Sequence, residues 1–149
     1  MPISIVCNRE VIVVQRNDTI LEAARLMRQH HIGDVVVVED RSGVRVPVGI
    51  ITDRDLVVEI MASELDQMVI TVGDIMLPEL VTVKENIGLF EAIQYMRAKG
   101  VRRLPVVNFS GGLVGILTLD DLLELLAEEL LALAKLVAHE QKKETMNRR

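Results

Sequence analysis

The sequence predicts an α+β fold built from two β-α-β-β-α repeats and closed by an extended C-terminal helix. A long segment recurs at a constant offset, a glycine-containing motif recurs beyond it, and a leucine-rich stretch follows that has no upstream counterpart. Ile20–Val38 reads ILEAARLMRQHHIGDVVVV and Leu89–Val107 reads LFEAIQYMRAKGVRRLPVV, an offset of 69 residues. This pairs Glu22 with Glu91, Ala23 with Ala92, Met27 with Met96 and Ile32 with Val101. Further on, Val48–Asp55 (VGIITDRD) matches Val114–Asp121 (VGILTLDD) at an offset of 66. The difference falls at Arg41–Pro47, where Ser42-Gly43 and Ser110-Gly111-Gly112 mark chain reversals. A hairpin loop is expected to absorb it without disturbing the strands.

Taken in order, Val11–Val14 and Leu80–Val83 read as short strands, the first preceded by a short mixed strand at the N-terminus. Helices follow over about Leu21–His30 and Leu89–Lys99. Ile20, Ala23, Ala24, Met27 and His31 share one side of the first, and Leu89, Ala92, Ile93 and Met96 share one side of the second. Asp18-Thr19 supplies cap chemistry for the first helix, and Gly100 suits a left-handed stop for the second; His31, at the equivalent place, suits it less. Val35–Val38 and Leu104–Val107 are unbroken apolar runs, expected of strands buried on both faces, pairing with Val48–Ile51 and Leu113–Leu117. The second helix of each repeat starts at Asp53 or Leu119. The boundaries are repeat one at 1–65, a linker at 66–75, repeat two at 76–127, and a helical extension with a polar tail at 128–149. Neither repeat is large enough for much of a core, and packing sheet on sheet solves this for both.

The last helix runs from Leu119 to about Lys142 without Gly or Pro, after which a fraying polar tail is expected. Leu122, Leu126, Leu130, Leu133 and Val137 form a stripe flanked by Leu123, Leu125, Leu131 and Leu136, more aliphatic surface than a lone helix keeps in water. Acids crowd Asp120–Glu129 and bases begin at Lys135, an order that suits the helix dipole.

Composition narrows the function. The chain has 149 residues and a formal charge of −5, half its residues are hydrophobic, and it lacks Trp; its aromatics are Tyr95, Phe90 and Phe109. The core must be aliphatic. An acidic chain without aromatic platforms is a poor partner for nucleic acid. No transmembrane span or signal peptide is visible, and one cysteine, Cys7, suits a reducing, cytoplasmic setting as a packed residue. His30, His31, His139 and Cys7 match no metal motif. No catalytic triad, metal triad or GxxxxGK segment argues for an enzyme.

Two copies of a unit ending in GI-hydrophobic-T-x-x-D resemble a tandem pair of cystathionine-β-synthase-type (CBS) domains of the stand-alone regulatory kind. The resemblance covers about residues 1–127 and rests on Gly49–Asp55, Gly115–Asp121, the GDIM segment Gly73–Met76 and RLPVV at Arg103–Val107. It implies a pseudo-two-fold body with two clefts for adenosine-containing ligands: AMP, ADP or ATP, with S-adenosylmethionine or NAD as further members of the class. It further implies that Thr118 and Asp121 hold the ribose in a main cleft, with Arg102 and Arg103 on phosphate and Ile75, Val81, Thr82 and Pro105 beside the adenine. Thr52 and Asp55 would serve a second cleft. The implied assembly is a homodimer, with a tetramer as the alternative, and the implied role is modulation of a protein partner.

The chemistry fits those residue types. A carboxylate accepts two hydrogen bonds from a vicinal diol, and a hydroxyl three residues earlier adds a contact. Free N–H groups at the following helix start favour an anion, and arginine offers a rigid fork to phosphate. Asp120-Asp121 could recruit Mg²⁺ through ATP phosphates, without a protein cage. Thr-x-x-Asp is equally the way a helix caps itself, and one residue pair can do both. Arg102-Arg103 also has the reading of a solvated or salt-bridged pair. Where repeat two has Arg102-Arg103, repeat one has Gly33-Asp34, whose acid repels phosphate, so the Asp121 cleft is expected to bind more tightly. The other reading is a ligand-free interaction subunit acting through oligomerisation and its terminal helix.

Overall fold

A computed structural model describes residues 1–147, so Arg148 and Arg149 of the expected polar tail lie outside the described residues. The chain divides into two units, Met1–Leu117 and Thr118–Arg149.

The first unit holds two three-stranded sheets. In one, β1 (Val13–Val14) leads through α1 (Ile20–His30) to β2 (Asp34–Arg41), which β1 joins in parallel; β3 (Val44–Thr52) returns antiparallel to β2. The chain continues through α2 (Asp53–Asp55), a π-helical segment Leu56–Met61 and α3 (Val72–Ile75). The second sheet repeats the plan with β4 (Val83–Lys84), α4 (Leu89–Lys99), β5 (Arg103–Val107) and β6 (Leu113–Thr118) in the order β4-β5-β6. Val35, Val36, Val37 and Val38 are all buried, as an unbroken apolar strand requires. Successive side chains leave opposite faces of the sheet. Val35 and Val37 therefore join Ile20, Ala23, Met27, Ile51, Ile60 and Val72 in one core, while Val36 and Val38 meet Ile116 of β6 in a second. The buried hydrophobic set contains no aromatic residue; Phe90 and Phe109 are exposed.

Local chemistry fixes the helix ends. Thr19 and Glu22 form a capping box: the Glu22 N–H donates to Thr19 Oγ1 at 3.2 Å, and the Thr19 N–H to Glu22 Oε2 at 3.1 Å. His31 closes α1 in the left-handed region (φ 54°), as Gly100 closes α4 (φ 66°). The offset three residues lengthen the first hairpin instead of swelling its loop. Glu39, Asp40 and Arg41 pair with Val46, Arg45 and Val44, and the reversal is the two-residue turn Ser42-Gly43, both at positive φ. The reason is that Val44-Arg45-Val46 alternates in the strand period and can extend the ladder.

The N-terminus is not a strand. Ile3–Ile5 is a turn of 3₁₀ helix, and this segment crosses to repeat two. The Leu89 N–H donates to the Met1 carbonyl, the Ile3 N–H to that of Ile87 and the Ser4 N–H to that of Glu85. Sixty-nine residues on, the linker makes the same bonds to repeat one: Ile20 N–H to Ile70, Val72 N–H to Asp18 and Gly73 N–H to Arg16. Each repeat thus covers its partner with the segment that precedes it. Burial pushes the Cys7 thiol in this segment above its usual value, against the opposing field of Arg9, so it packs as a protonated side chain.

Thr71 opens α3, and its backbone N–H donates to Asp74 Oδ2 at 2.9 Å. That bond, with help from the Thr71 side chain, holds the Asp74 carboxyl below its usual range. A depressed folded pKa stabilises above the unfolded value and is lost as pH falls through the folded one. Asp74→Asn is therefore expected to leave the thermal midpoint at pH 7 lower than wild type and to narrow that gap steadily below about pH 4. Melts from pH 7 to pH 3 check this, and a gap constant with pH contradicts it.

The second unit is α5 (Leu119–Asn147). It passes Lys142 without the expected fraying, because Glu140–Met146 holds good helix formers and no breaker, and Thr145 Oγ1 donates to the Gln141 carbonyl. Leu123, Leu130, Leu131, Leu133, Leu136 and Val137 are exposed. No helix among the described residues is long and apolar enough to cross a membrane.

Candidate ligand cleft

Strand β3 ends at Thr52, and the chain turns into α2 there because Thr52 caps it. The Asp55 N–H donates to Thr52 Oγ1 at 3.2 Å and the Thr52 N–H to Asp55 Oδ2 at 2.9 Å. Beside this turn lies a cavity of about 500 Å³. Three segments of the first unit line it: Gly49–Arg54, the stretch Leu77–Val81 after α3, and Val101–Arg103 between α4 and β5. Ile50, Leu77, Leu80, Val81 and Val101 make an apolar wall; Arg54, Arg102 and Arg103 supply guanidinium groups, and Asp53 and Glu79 carboxylates.

Arg103 has a second engagement. Its Nε donates to Asp34 Oδ2 at 2.6 Å, with the side chains only 32% and 20% exposed. These two residues occupy the same position in their repeats, 69 apart. Opposite charges at equivalent positions are a pairing signal when the repeats face each other, since equivalent positions near the relating axis meet. Asp34 is thus an ion-pair partner of a phosphate-competent arginine, and Arg103 is both salt-bridged and cavity-lining.

The expected site residues therefore distribute as follows. Val81, Arg102 and Arg103 share one cavity with Thr52, and Asp55 stands one turn beyond. Ile75, Thr82 and Pro105 are not among its lining residues: Ile75 packs on the core of repeat one, and Pro105 is fully buried in β5. Thr118 and Asp121 belong to the second unit, where the Asp121 N–H donates to Thr118 Oγ1 at 3.1 Å, as the Asp55 N–H does to Thr52. Sequence reasoning missed Leu77, Glu79, Leu80 and Val101, which lack any chemical motif; their signal is position, just after the linker and just before the arginine pair. A further Thr-x-x-Asp at Thr71–Asp74 also went unremarked. Among the described residues, no group of three or more His, Cys, Asp or Glu side chains could hold a metal ion.

Two sheet-and-helix repeats, with an arginine-rimmed, partly apolar cavity lined by segments of both, define a tandem-repeat module. The family model for the CBS domain matches residues 4–62 and 72–128, and the chain belongs to that family. Its members are typically non-catalytic regulatory modules. An uncharacterised protein of Methanopyrus kandleri is 40% identical over 119 residues, 80% of this chain; the chain spans 59% of that relative's length. The CBS domain-containing protein YhcV of Bacillus subtilis is 41% identical over 113 residues, 76% of each chain. Among solved structures, Hypoxic Response Protein I, a protein of Mycobacterium tuberculosis whose crystal structure carries two coordinated zinc ions, superposes with a TM-score of 0.72 at 31% identity. The match covers 83% of this chain and 98% of that one.

Proposed function

We propose that this chain is a regulatory module that binds an adenosine-containing ligand in the Thr52 cavity and transmits its occupancy to a protein partner. The observation that carries this is the convergence of Thr52, Val81, Arg102 and Arg103 on one cavity of about 500 Å³. The aliphatic wall suits a purine without aromatic stacking, the Thr52 hydroxyl on the wall and the Asp55 carboxylate one turn on suit ribose hydroxyls, and guanidinium groups suit phosphate oxygens. Bound ligand touching segments from both repeats would favour one relative packing of the two, which is how occupancy becomes a signal. The module acts as a homodimer, with α5 supplying the contact. Its exposed leucines need cover, and its acidic first half and the lysines of its second half (Lys135, Lys142, Lys143) attract each other in antiparallel copies.

Calorimetry on nucleotide-stripped protein against AMP, ADP, ATP, S-adenosylmethionine and NAD, with and without Mg²⁺, tests the reading. Saturable binding is expected for at least one of them. Arg102→Ala is expected to weaken binding of a phosphate-bearing ligand about 10- to 100-fold, as loss of a charged hydrogen bond does. No binding by millimolar ligand overturns the proposal and leaves the Thr-x-x-Asp turns as helix caps, with oligomerisation through α5 as the function.

A further inference from the structure

We propose that Asp34 is the specificity determinant that limits how many phosphates the cavity accepts. The inference rests on the Thr52 cavity being the adenosyl site, and it names the ligand class more narrowly: adenosyl compounds with one phosphate or none. Of the three arginines on the cavity wall, Arg103 is already committed to Asp34 at 2.6 Å, and that pair is largely withdrawn from solvent. A second carboxylate stands at the same corner. The Asp53 N–H donates to the Gly33 carbonyl at 2.9 Å, and Asp53 Oδ2 lies 3.1 Å from where a β-carbon on Gly33 would sit. Asp53 and Glu79 line the cavity together with Arg54 and Arg102. With Asp34 holding Arg103, the guanidinium groups of Arg54, Arg102 and Arg103 are matched by the carboxylates of Asp34, Asp53 and Glu79, and Asp55 adds a fourth negative charge beside the Thr52 cap. Such a cavity tolerates a small anion held by the arginine forks, but each added phosphate meets carboxylates at close range, where like charges repel and added salt weakens the repulsion. Asp34 acts through Arg103 and is a positioning residue, not a ligand contact.

The experiment is titration of wild type and Asp34→Asn with AMP and with ATP at low and high salt. Asparagine keeps the shape and an acceptor for Arg103 Nε while removing the charge. Asp40→Asn, in the first hairpin and outside this cavity's lining, controls for net charge. Wild type is expected to bind AMP at least as tightly as ATP. Asp34→Asn is expected to tighten ATP about tenfold or more relative to AMP, with the gain shrinking at high salt. Asp40→Asn leaves the ratio unchanged. Equal shifts for both nucleotides, or a ratio that does not move, overturn the role of Asp34 while leaving the adenosyl site standing. Absence of binding to wild type and variants alike, with thermal midpoints preserved, overturns the adenosyl reading and this inference with it.

Discussion

Ile3→Ala is expected to cost about 2–5 kcal/mol of unfolding free energy, the range for emptying a fully buried aliphatic site. The residue lies near the start of the chain, where truncation is ordinarily harmless, yet its exposure is 0%. Its N–H is bonded to Ile87, and the Met1 carbonyl receives the first N–H of α4. That bond matters because Gly88, the N-cap of α4, has no side chain to do what Thr19 does for α1. Loss of the isoleucine therefore weakens a packing site and a cap together. Ile5, two residues on and 70% exposed, provides the contrast: Ile5→Ala should fall within about 0.5 kcal/mol of wild type. Urea unfolding of the two variants decides the matter, and equal midpoints would mean that the N-terminal segment does not hold repeat two.

Gly115→Ala is expected to be destabilising by about 1–3 kcal/mol, with Gly49→Ala costing distinctly less although the two glycines hold the same place in the motif. A β-carbon on Gly115 would lie 2.7 Å from Cys7 Sγ and 2.8 Å from the Asn8 carbonyl oxygen. That carbonyl is pinned, since Asn8 and Ile116 exchange both backbone hydrogen bonds at 2.9 and 2.8 Å. On Gly49 the three nearest atoms all belong to the Met76 side chain, Sδ at 2.7 Å, Cβ at 3.3 Å and Cγ at 3.4 Å, and a thioether can swing away. Thermal melts of both variants measure the difference. Adding Cys7→Ala to Gly115→Ala should restore little, because the backbone clash remains; full restoration would assign the cost to sulfur alone.

Much of this was legible in the chain. The repeat, its helices and its buried strands follow from apolar period and cap residues, which act over a few neighbouring positions. The glycine of the GI motif could be seen but not explained: Gly115 is required because a segment more than a hundred residues earlier crosses it. The linker likewise read as a connector, whereas Val72 sits in the core of repeat one. The cavity shows the same division. Arg102-Arg103 and Thr52 were recognisable by chemistry, but a motif carries no record of which turn faces which arginine pair.

The sequence by itself determined that two similar units are present, the order of their main helices and strands, the buried valine and leucine strand runs, and which side chains carry hydrogen-bonding or phosphate-binding chemistry. These depend on local propensity and on hydrophobic period, quantities summed over short windows. Only the tertiary structure decided that the segments before each repeat cross to the other, that Thr52 shares a cavity with Val81, Arg102 and Arg103, and that Asp34 meets Arg103. Those outcomes are set by how two pseudo-symmetric sheets dock, and docking depends on contacts between positions far apart in sequence, for which no local signal exists.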